Sequence, residues 1–275
     1  MGSCIFNNRA GFLQRYGVLM TYFNKQLLAE KTFIISGASS GIGRGTAQAV
    51  AELGGQVIAL GRDQDRLNQT LGQLEGANHL SLTGDMSSAD SAFDCLKSAR
   101  GLIPNGIDGI FHSAGVASVK PARMTKSKHI EDIMGASLFG ALGVSRAAAS
   151  RGFLNDAGGS IVFMSSVAGE RGQVGMSAYG ASRSAISGLV KSLAFEFAPQ
   201  NVRVNSIIAG AVETEMHAQI SRGMDDNSMN DYKNKHLLGF GQTQDIANAA
   251  IFLLAPSSRW ITGTSMLVDG GYMAK

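Results

Sequence analysis

The chain has 275 residues, 44% of them apolar and only 16% charged, with 35 Gly and 4 Pro, a balance that excludes a disordered or collagen-like polypeptide. Its 24 basic and 21 acidic side chains leave a net charge of +3, far from the dense basic stripe that a nucleic-acid partner would require. Cys4 and Cys95 are too few for a disulfide framework and lack zinc-ligand spacing, so a reducing cytoplasm and no metal site are expected.

Residues 1–24 read as a leader outside the fold. They carry Arg9 and Arg15 but no continuous apolar stretch and no clear cleavage site, and Phe6 breaks the myristoylation pattern; residues 1–19 are frayed or lie upstream of a true start at Met20. No apolar run reaches the roughly 18 residues that span a bilayer, so a soluble protein without a membrane partner is expected.

From residue 31, β-branched runs alternate with segments of helical periodicity. Strands are predicted at Thr32 to Ser36, Gln56 to Leu60, His79 to Leu82, Ile107 to His112, Ser160 to Met164, Val202 to Ile208 and Ser265 to Val268. Helices are predicted at Ile42 to Leu53, Gln64 to Leu74, Ala89 to Arg100, Lys128 to Ser150, Ala178 to Phe197 and Gln244 to Leu254. Nearly all the strands are continuously apolar, as strands buried on both faces should be. With right-handed crossovers, the pattern predicts an α/β fold: a single Rossmann-like, doubly wound domain over 25–275, its seven-stranded parallel sheet flanked by helices. The polar, Met-containing stretch from Glu213 to Gly239 interrupts this alternation and reads as a variable substrate loop or lid.

Ser36-Gly37-Ala38-Ser39-Ser40-Gly41-Ile42-Gly43 follows the first strand and opens the first helix. Glycine lets the backbone turn sharply and approach a pyrophosphate closely, while the helix start offers free N–H groups and a positive dipole end. Gly37, Ser39, Ser40, Gly41, Ile42 and Gly43 are therefore candidate cofactor-binding residues.

From about residue 30 to residue 272 the chain resembles a classical short-chain dehydrogenase/reductase. The resemblance rests on the glycine turn, Gly84-Asp85, Ala114-Gly115, Ser165-Ser166, Tyr179 on a helix, Asn201-Val202-Arg203-Val204-Asn205, and Val268-Asp269-Gly270-Gly271, in that order. It implies that Asp85 and Met86 border an adenine ring, that Ala114 and Gly115 let the backbone pass close to the nicotinamide-side ribose, and that Val212 and Thr214 hold the carboxamide and pyrophosphate. Asp85 could equally cap a helix beginning near Ser87. Family members that prefer NAD usually carry an acid where this chain has Gly61, and Arg62 supplies a cation for a 2′-phosphate, so NADP (NADPH) is favoured over NAD.

The resemblance also implies Tyr179 as proton donor and Ser166 as the hydroxyl that bonds the substrate oxygen, with Ser165 the weaker candidate. Two departures accompany them. The family lysine four residues after the tyrosine is Arg183, still on the tyrosine's helix face but unable to pass on a proton, and the helix asparagine that anchors a relay water is Ser137. His112 reads as a packed strand-end histidine, with a polar relay as the alternative.

Two function classes follow. One is an NADPH-dependent oxidoreductase reducing a carbonyl to an alcohol; the other is a catalytically weakened relative serving as an NADP-binding regulatory or accessory subunit. Enoyl reductases fit poorly, because their lysine seven positions after the tyrosine is Ile186 here. Overall length and the Trp260 to Gly271 ending resemble 3-oxoacyl carrier-protein reductases, so the partner is a small-molecule or acyl-thioester substrate. Lys120, Arg123, Lys126 and Lys128 are either a solvated face or a docking patch for an acidic carrier or a CoA phosphate. The family further implies a homo-oligomer, a tetramer or dimer, through the helices at Lys128 to Ser150 and Ala178 to Phe197; Ile186, Leu189, Val190, Leu193, Ala194 and Phe197 look like more apolar surface than one sheet face needs.

Overall fold

Seven parallel strands run through the centre of the computed structural model, which describes residues 23–222 and 225–274. In chain order the elements are β1 (Thr32–Ser36), α1 (Gly41–Glu52), β2 (Gln56–Gly61), α2 (Gln64–Leu71), β3 (Leu80–Thr83), α3 (Ala89–Gly101), β4 (Gly109–His112), α4 (Ser127–Met134), α5 (Gly140–Ala148), β5 (Gly159–Ser166), α6 (Ser177–Phe197), β6 (Val202–Ala209), α7 (Glu215–Ile220), α8 (Asp226–Asn234), α9 (Thr243–Leu254) and β7 (Ser265–Val268). The sheet order is β3-β2-β1-β4-β5-β6-β7, with Ser36 in register with both Leu60 and His112. This is the doubly wound, Rossmann-like architecture expected from the alternation of elements, with every connection between neighbouring strands passing over a sheet face.

Alternate residues of each strand face opposite helix layers. Phe33, Ile35, Val57, Phe111, Val162 and Ile207 pack beneath α1 and α9, while Ile34, Ile58, Ile110, Ile161, Phe163 and Val204 pack beneath α3, α5 and α6. Both faces of the sheet are thereby dry, which is why the strands read as unbroken apolar runs. Phe23 and Leu27 already pack on the first of these cores, so the folded body takes in the end of the segment assigned to the leader; residues 1–22 lie outside the described part.

The structure corrects three boundaries. The strand expected from Ile107 begins at Gly109, with Ile107 forming only a bridge to Leu154. Asp85 does not cap a helix at Ser87. Its carboxylate accepts from the Ser87 amide at 3.0 Å and the Ser87 hydroxyl at 2.5 Å, closing a local turn, and Ser88 caps α3 through a reciprocal pair with Ser91. The long helix expected from Lys128 to Ser150 starts at Ser127, ends at Ala148 and contains a π-helical segment, Gly135–Phe139. Close approach explains the glycines around that segment: a Cβ on Gly135 would stand 2.8 Å from the Ser87 carbonyl oxygen, and one on Gly140 2.5 Å from that of Met86. The π segment carries Ser137, in keeping with the tendency of such bulges to occur at functional sites.

Candidate active site

A cleft of about 810 Å³ opens along the carboxyl ends of β1 to β6. Every site residue expected from the sequence lines it except Ser137, which lies behind Gly115.

At the phosphate end, Gly37 (φ 71°) and Gly41 (φ 49°) occupy the left-handed region that other residues avoid. A Cβ on Gly43 would collide with the Gly37 carbonyl, so the turn folds tightly onto itself. Arg44 staples it from behind: Nη2 donates to the Ser39 carbonyl at 2.6 Å and Nε to Thr70 Oγ1 at 3.0 Å, while the Thr70 hydroxyl donates to the Ala38 carbonyl at 2.9 Å. Ser40 makes no side-chain cap and the first turn of α1 carries no acid, so the leading N–H groups of α1 are left for an external anion. The turn, the helix start and Thr214 together fit a phosphorylated dinucleotide.

Arg62, at the end of β2, is exposed at the rim of this region. Gly61 beside it is crowded: a Cβ there would stand 3.3 Å from Ser39 Cβ, Ser39 Oγ and Leu67 Cδ2, leaving little room for an acidic side chain. Arg66, in the first turn of α2, also lines the cleft and pairs with Glu215 across its mouth, Nη2 to Oε1 at 3.1 Å.

At the chemical end the pleat of β5 separates two adjacent serines. Ser165 turns inward and its hydroxyl donates to the Arg183 carbonyl at 2.9 Å, tying α6 to the sheet. Ser166 lines the cleft, and its Oγ accepts from the Ala168 amide at 3.2 Å. Tyr179 sits half-buried in the first turn of α6, where Gly180 allows the helix to press against the 167–169 segment; a Cβ there would stand 2.6 Å from the Ala168 carbonyl oxygen.

Arg183 is buried. Its Cζ lies 5.0 Å from the centre of the Tyr179 ring, and Nη1 donates to the Met164 carbonyl at 3.0 Å. No carboxylate forms an ion pair with it among the described residues, and both its Nε and the Oγ of Ser137 are buried without a hydrogen-bond partner. A Cβ on Gly115 would collide with Arg183 Nη2 and stand 3.0 Å from Ser137 Oγ, so arginine, serine and glycine share one tight compartment under the cleft floor.

His112 sits outside the lining, completely enclosed. Its Nε2 donates to the Ala136 carbonyl at 2.9 Å, which leaves Nδ1 to accept from the Ser36 hydroxyl at 2.8 Å. Burial, reinforced by the nearby charge of Arg183, lowers its pKa to about 4 and holds it neutral, a packing role rather than a relay.

The stretch from Glu213 to Gly239 contributes Thr214, Met216, His217, Ile220 and Tyr232 to the cleft. Thr214 caps α7 by accepting from the His217 amide at 3.2 Å. His217 and Tyr232 pack on Phe240 with ring centres 4.7 and 5.3 Å away; burial lowers the His217 pKa and raises that of Tyr232 to about 12, so both are neutral polar groups near pH 7. Within this loop the sequence singled out Thr214 but none of the other lining residues, because scattered aromatics have no diagnostic spacing. Arg66 was overlooked as well: Arg62 precedes the helix that carries Arg66, so their spacing gave no shared helix face to read. Of the four basic residues considered for docking, Lys128 alone lines the cleft, and it is paired with Asp132 at 2.7 Å.

Open α/β sheets hold ligands outside the carboxyl ends of their strands where the strand order reverses, and this cleft straddles the reversal between β1 and β4. The fold and the cleft together define a dinucleotide-binding oxidoreductase. The chain belongs to the short-chain dehydrogenase/reductase family: a family model described as enoyl-(acyl carrier protein) reductase matches residues 37–273. Carbonyl reductase family member 4 of Xenopus tropicalis is 32% identical over 241 residues, covering 88% of this chain and 97% of that protein. A 3-oxoacyl-[acyl-carrier-protein] reductase of Aquifex aeolicus is 30% identical over 248 residues, covering 89% and 98%. Among solved structures, a gluconate 5-dehydrogenase from Beutenbergia cavernae, named as NAD(P)-dependent and with NADP bound at low occupancy, superposes with a TM-score of 0.82 at 25% identity, covering 91% of this chain and all of that one. Among the described residues no helix is long and apolar enough to cross a membrane, and no group of His, Cys, Asp and Glu is arranged to hold a metal ion.

Proposed function

We propose that this protein is an NADPH-dependent reductase that converts a carbonyl group into an alcohol, with a small ketone or aldehyde, a sugar or a 3-oxoacyl thioester as substrate. The observation that carries the reading is the convergence of Ser166, Tyr179 and Arg183 on the cleft that also contains the glycine turn. The bound dinucleotide would supply the hydride. Ser166 then donates a hydrogen bond to the substrate oxygen and orients it, and Tyr179 gives that oxygen its proton. The guanidinium beneath the tyrosine ring stabilises the negative charge that develops on the phenol oxygen as the proton leaves. Ser137 lies behind Gly115 in the same compartment as Arg183, its hydroxyl without a hydrogen-bond partner.

NADP preference is supported by the absence of an acid at position 61, by the crowding there, and by exposed Arg62 at the rim. Asp85 and Met86 would border the adenine, Ala114 and Gly115 the nicotinamide-side ribose, and Val212 with Thr214 the carboxamide and pyrophosphate. Self-association as a tetramer or dimer is supported by exposed Phe139, Leu142 and Phe195 on the helices that the family uses for association. Of the residues first considered for that face, Ile186, Val190, Leu193 and Phe197 are buried in the chain's own core, Leu189 is partly buried against it, and Ala194 is buried. A cytoplasmic setting fits the free, buried thiol of Cys95.

One observation favours the accessory-subunit reading: the Arg183 guanidinium is partly engaged by the Met164 carbonyl. Single-turnover oxidation of NADPH against a panel of ketones, aldehydes, sugars and 3-oxoacyl thioesters separates the two. Turnover that falls at least about a hundredfold in Tyr179→Phe supports the enzyme; tight NADPH binding with no oxidation by any panel member supports the accessory subunit.

A further inference from the structure

We infer that Arg66 is a second specificity-determining residue for the 2′-phosphate of the cofactor, held by Glu215 in the free protein and transferred to the phosphate when it arrives. The inference rests on the NADP reading above.

Arg62 follows the end of β2 and Arg66 lies in the first turn of α2, so the two bracket the same corner of the cleft, beside Gly61 and Ser39. The other basic group of this corner is unavailable, because Arg44 is bound to the Ser39 carbonyl and the Thr70 hydroxyl behind the turn. The neighbouring acids are engaged locally as well: Asp63 caps α2 by accepting from the Arg66 amide at 3.0 Å, and Asp85 holds Ser87. Glu215 differs, since it reaches across the mouth of the cleft from α7 to Arg66.

Three features make this contact exchangeable. Both side chains are about half exposed (42% and 55%), and ion pairs so open to water are weakly held. A phosphate dianion offers the guanidinium fork a stronger, better-matched partner than one carboxylate. Glu215 also sits on a six-residue helix without a buried residue, which can yield at low cost.

The position of the carboxylate gives the exchange a direction. Glu215 Oε2 lies 3.9 Å from where a Cβ on Gly41 would stand, so its negative charge hangs over the glycine turn. A dinucleotide bringing phosphates to that turn repels Glu215 while attracting Arg66. The carboxylate thus works against cofactor entry, and its removal should help the phosphorylated cofactor most.

The test is titration of the full chain and its Arg62→Gln, Arg66→Gln and Glu215→Gln variants with NADPH, NADH and 2′,5′-ADP, the last reporting on the phosphate corner alone. Arg66→Gln is expected to weaken NADPH and 2′,5′-ADP about tenfold while NADH changes by less than about twofold. Glu215→Gln is expected to tighten NADPH severalfold and NADH less. If NADPH is preferred and Arg62→Gln removes the preference while Arg66→Gln leaves it whole, this inference is overturned and the NADP reading survives. If the unmodified chain binds NADPH and NADH equally, the NADP reading fails and this inference falls with it. Weaker NADPH binding by Glu215→Gln overturns the transfer from Glu215.

Discussion

Replacing Arg183 by methionine separates what the guanidinium does for stability from what it does for the reaction. Methionine keeps the aliphatic stem and fills most of the volume, but it removes the charged hydrogen bond to the Met164 carbonyl, worth about 1.5–3 kcal/mol, and the contact with the Tyr179 ring, worth about 1–2 kcal/mol. It also removes two liabilities: a buried Nε without a partner, which costs about 1–3 kcal/mol, and a buried charge without a carboxylate, which costs several more. These contributions oppose one another, so stability should change by no more than about 2 kcal/mol in either direction, or about 4–8 °C in Tm. Turnover has no such compensation, because the cation beneath the phenol ring acts on charge that appears only as the proton leaves, and kcat should fall by about 10²–10³. Differential scanning calorimetry and carbonyl-dependent NADPH oxidation on the same preparation measure both quantities. A Tm loss well beyond 10 °C would show that the guanidinium is a structural pillar. An unchanged kcat in a folded variant would refute its electrostatic role.

Three further outcomes are expected. Gly115→Ala puts a methyl group into the Arg183 guanidinium and close to Ser137, so it should cost about 1–3 kcal/mol and reduce turnover at least tenfold, read by thermal melts and initial rates; a wild-type enzyme after this change would mean that Arg183 has another resting place. His112 has a folded pKa of about 4 against an ordinary value near 6.5, so the neutral form is favoured by folding: its contribution is fully present above pH 6.5 and is lost as pH falls toward 4. Urea titrations at pH 7.5 and 4.5 should therefore show about 2–3 kcal/mol of acid destabilisation that is absent in His112→Asn; an identical pH dependence in both proteins would count against this account. Phe195→Asp should convert an oligomer into a smaller species in multi-angle light scattering, because Phe195 is 86% exposed on a helix face that the described residues leave uncovered.

The parts of this protein that were legible in its sequence are those with a backbone reason. Gly37, Gly41 and Gly43 announce a turn because no other residue tolerates the geometry, and continuous runs such as Phe33-Ile34-Ile35 announce a strand covered on both faces. Tertiary accommodation left no comparable signal. Helical periodicity passes straight through 135–139 because a π segment shifts the register by a single residue, and only the carbonyls of Met86 and Ser87 show why Gly135 and Gly140 are needed. The offset of four residues placed Arg183 on the tyrosine's side of the helix, yet its lodging under Gly115 against the Met164 carbonyl depends on the end of β4, β5 and α6 meeting. Likewise Arg66 and Glu215 are separated by 149 positions, beyond the reach of any local pattern.

The stapled glycine turn carries a consequence for the order of events during turnover. Arg44 and Thr70 hold the turn in its working shape before any ligand arrives, so the dinucleotide meets a finished surface with little ordering left to do. The opposite wall is built on α7 and α8, neither of which has a buried residue, and such short, uncovered elements open locally far more often than the core. A substrate arriving first would have to organise that wall alone. On the proposed placing of the dinucleotide along Val212 and Thr214, a substrate arriving second finds that wall already supported, which favours a compulsory sequence, cofactor before carbonyl and alcohol out before spent cofactor.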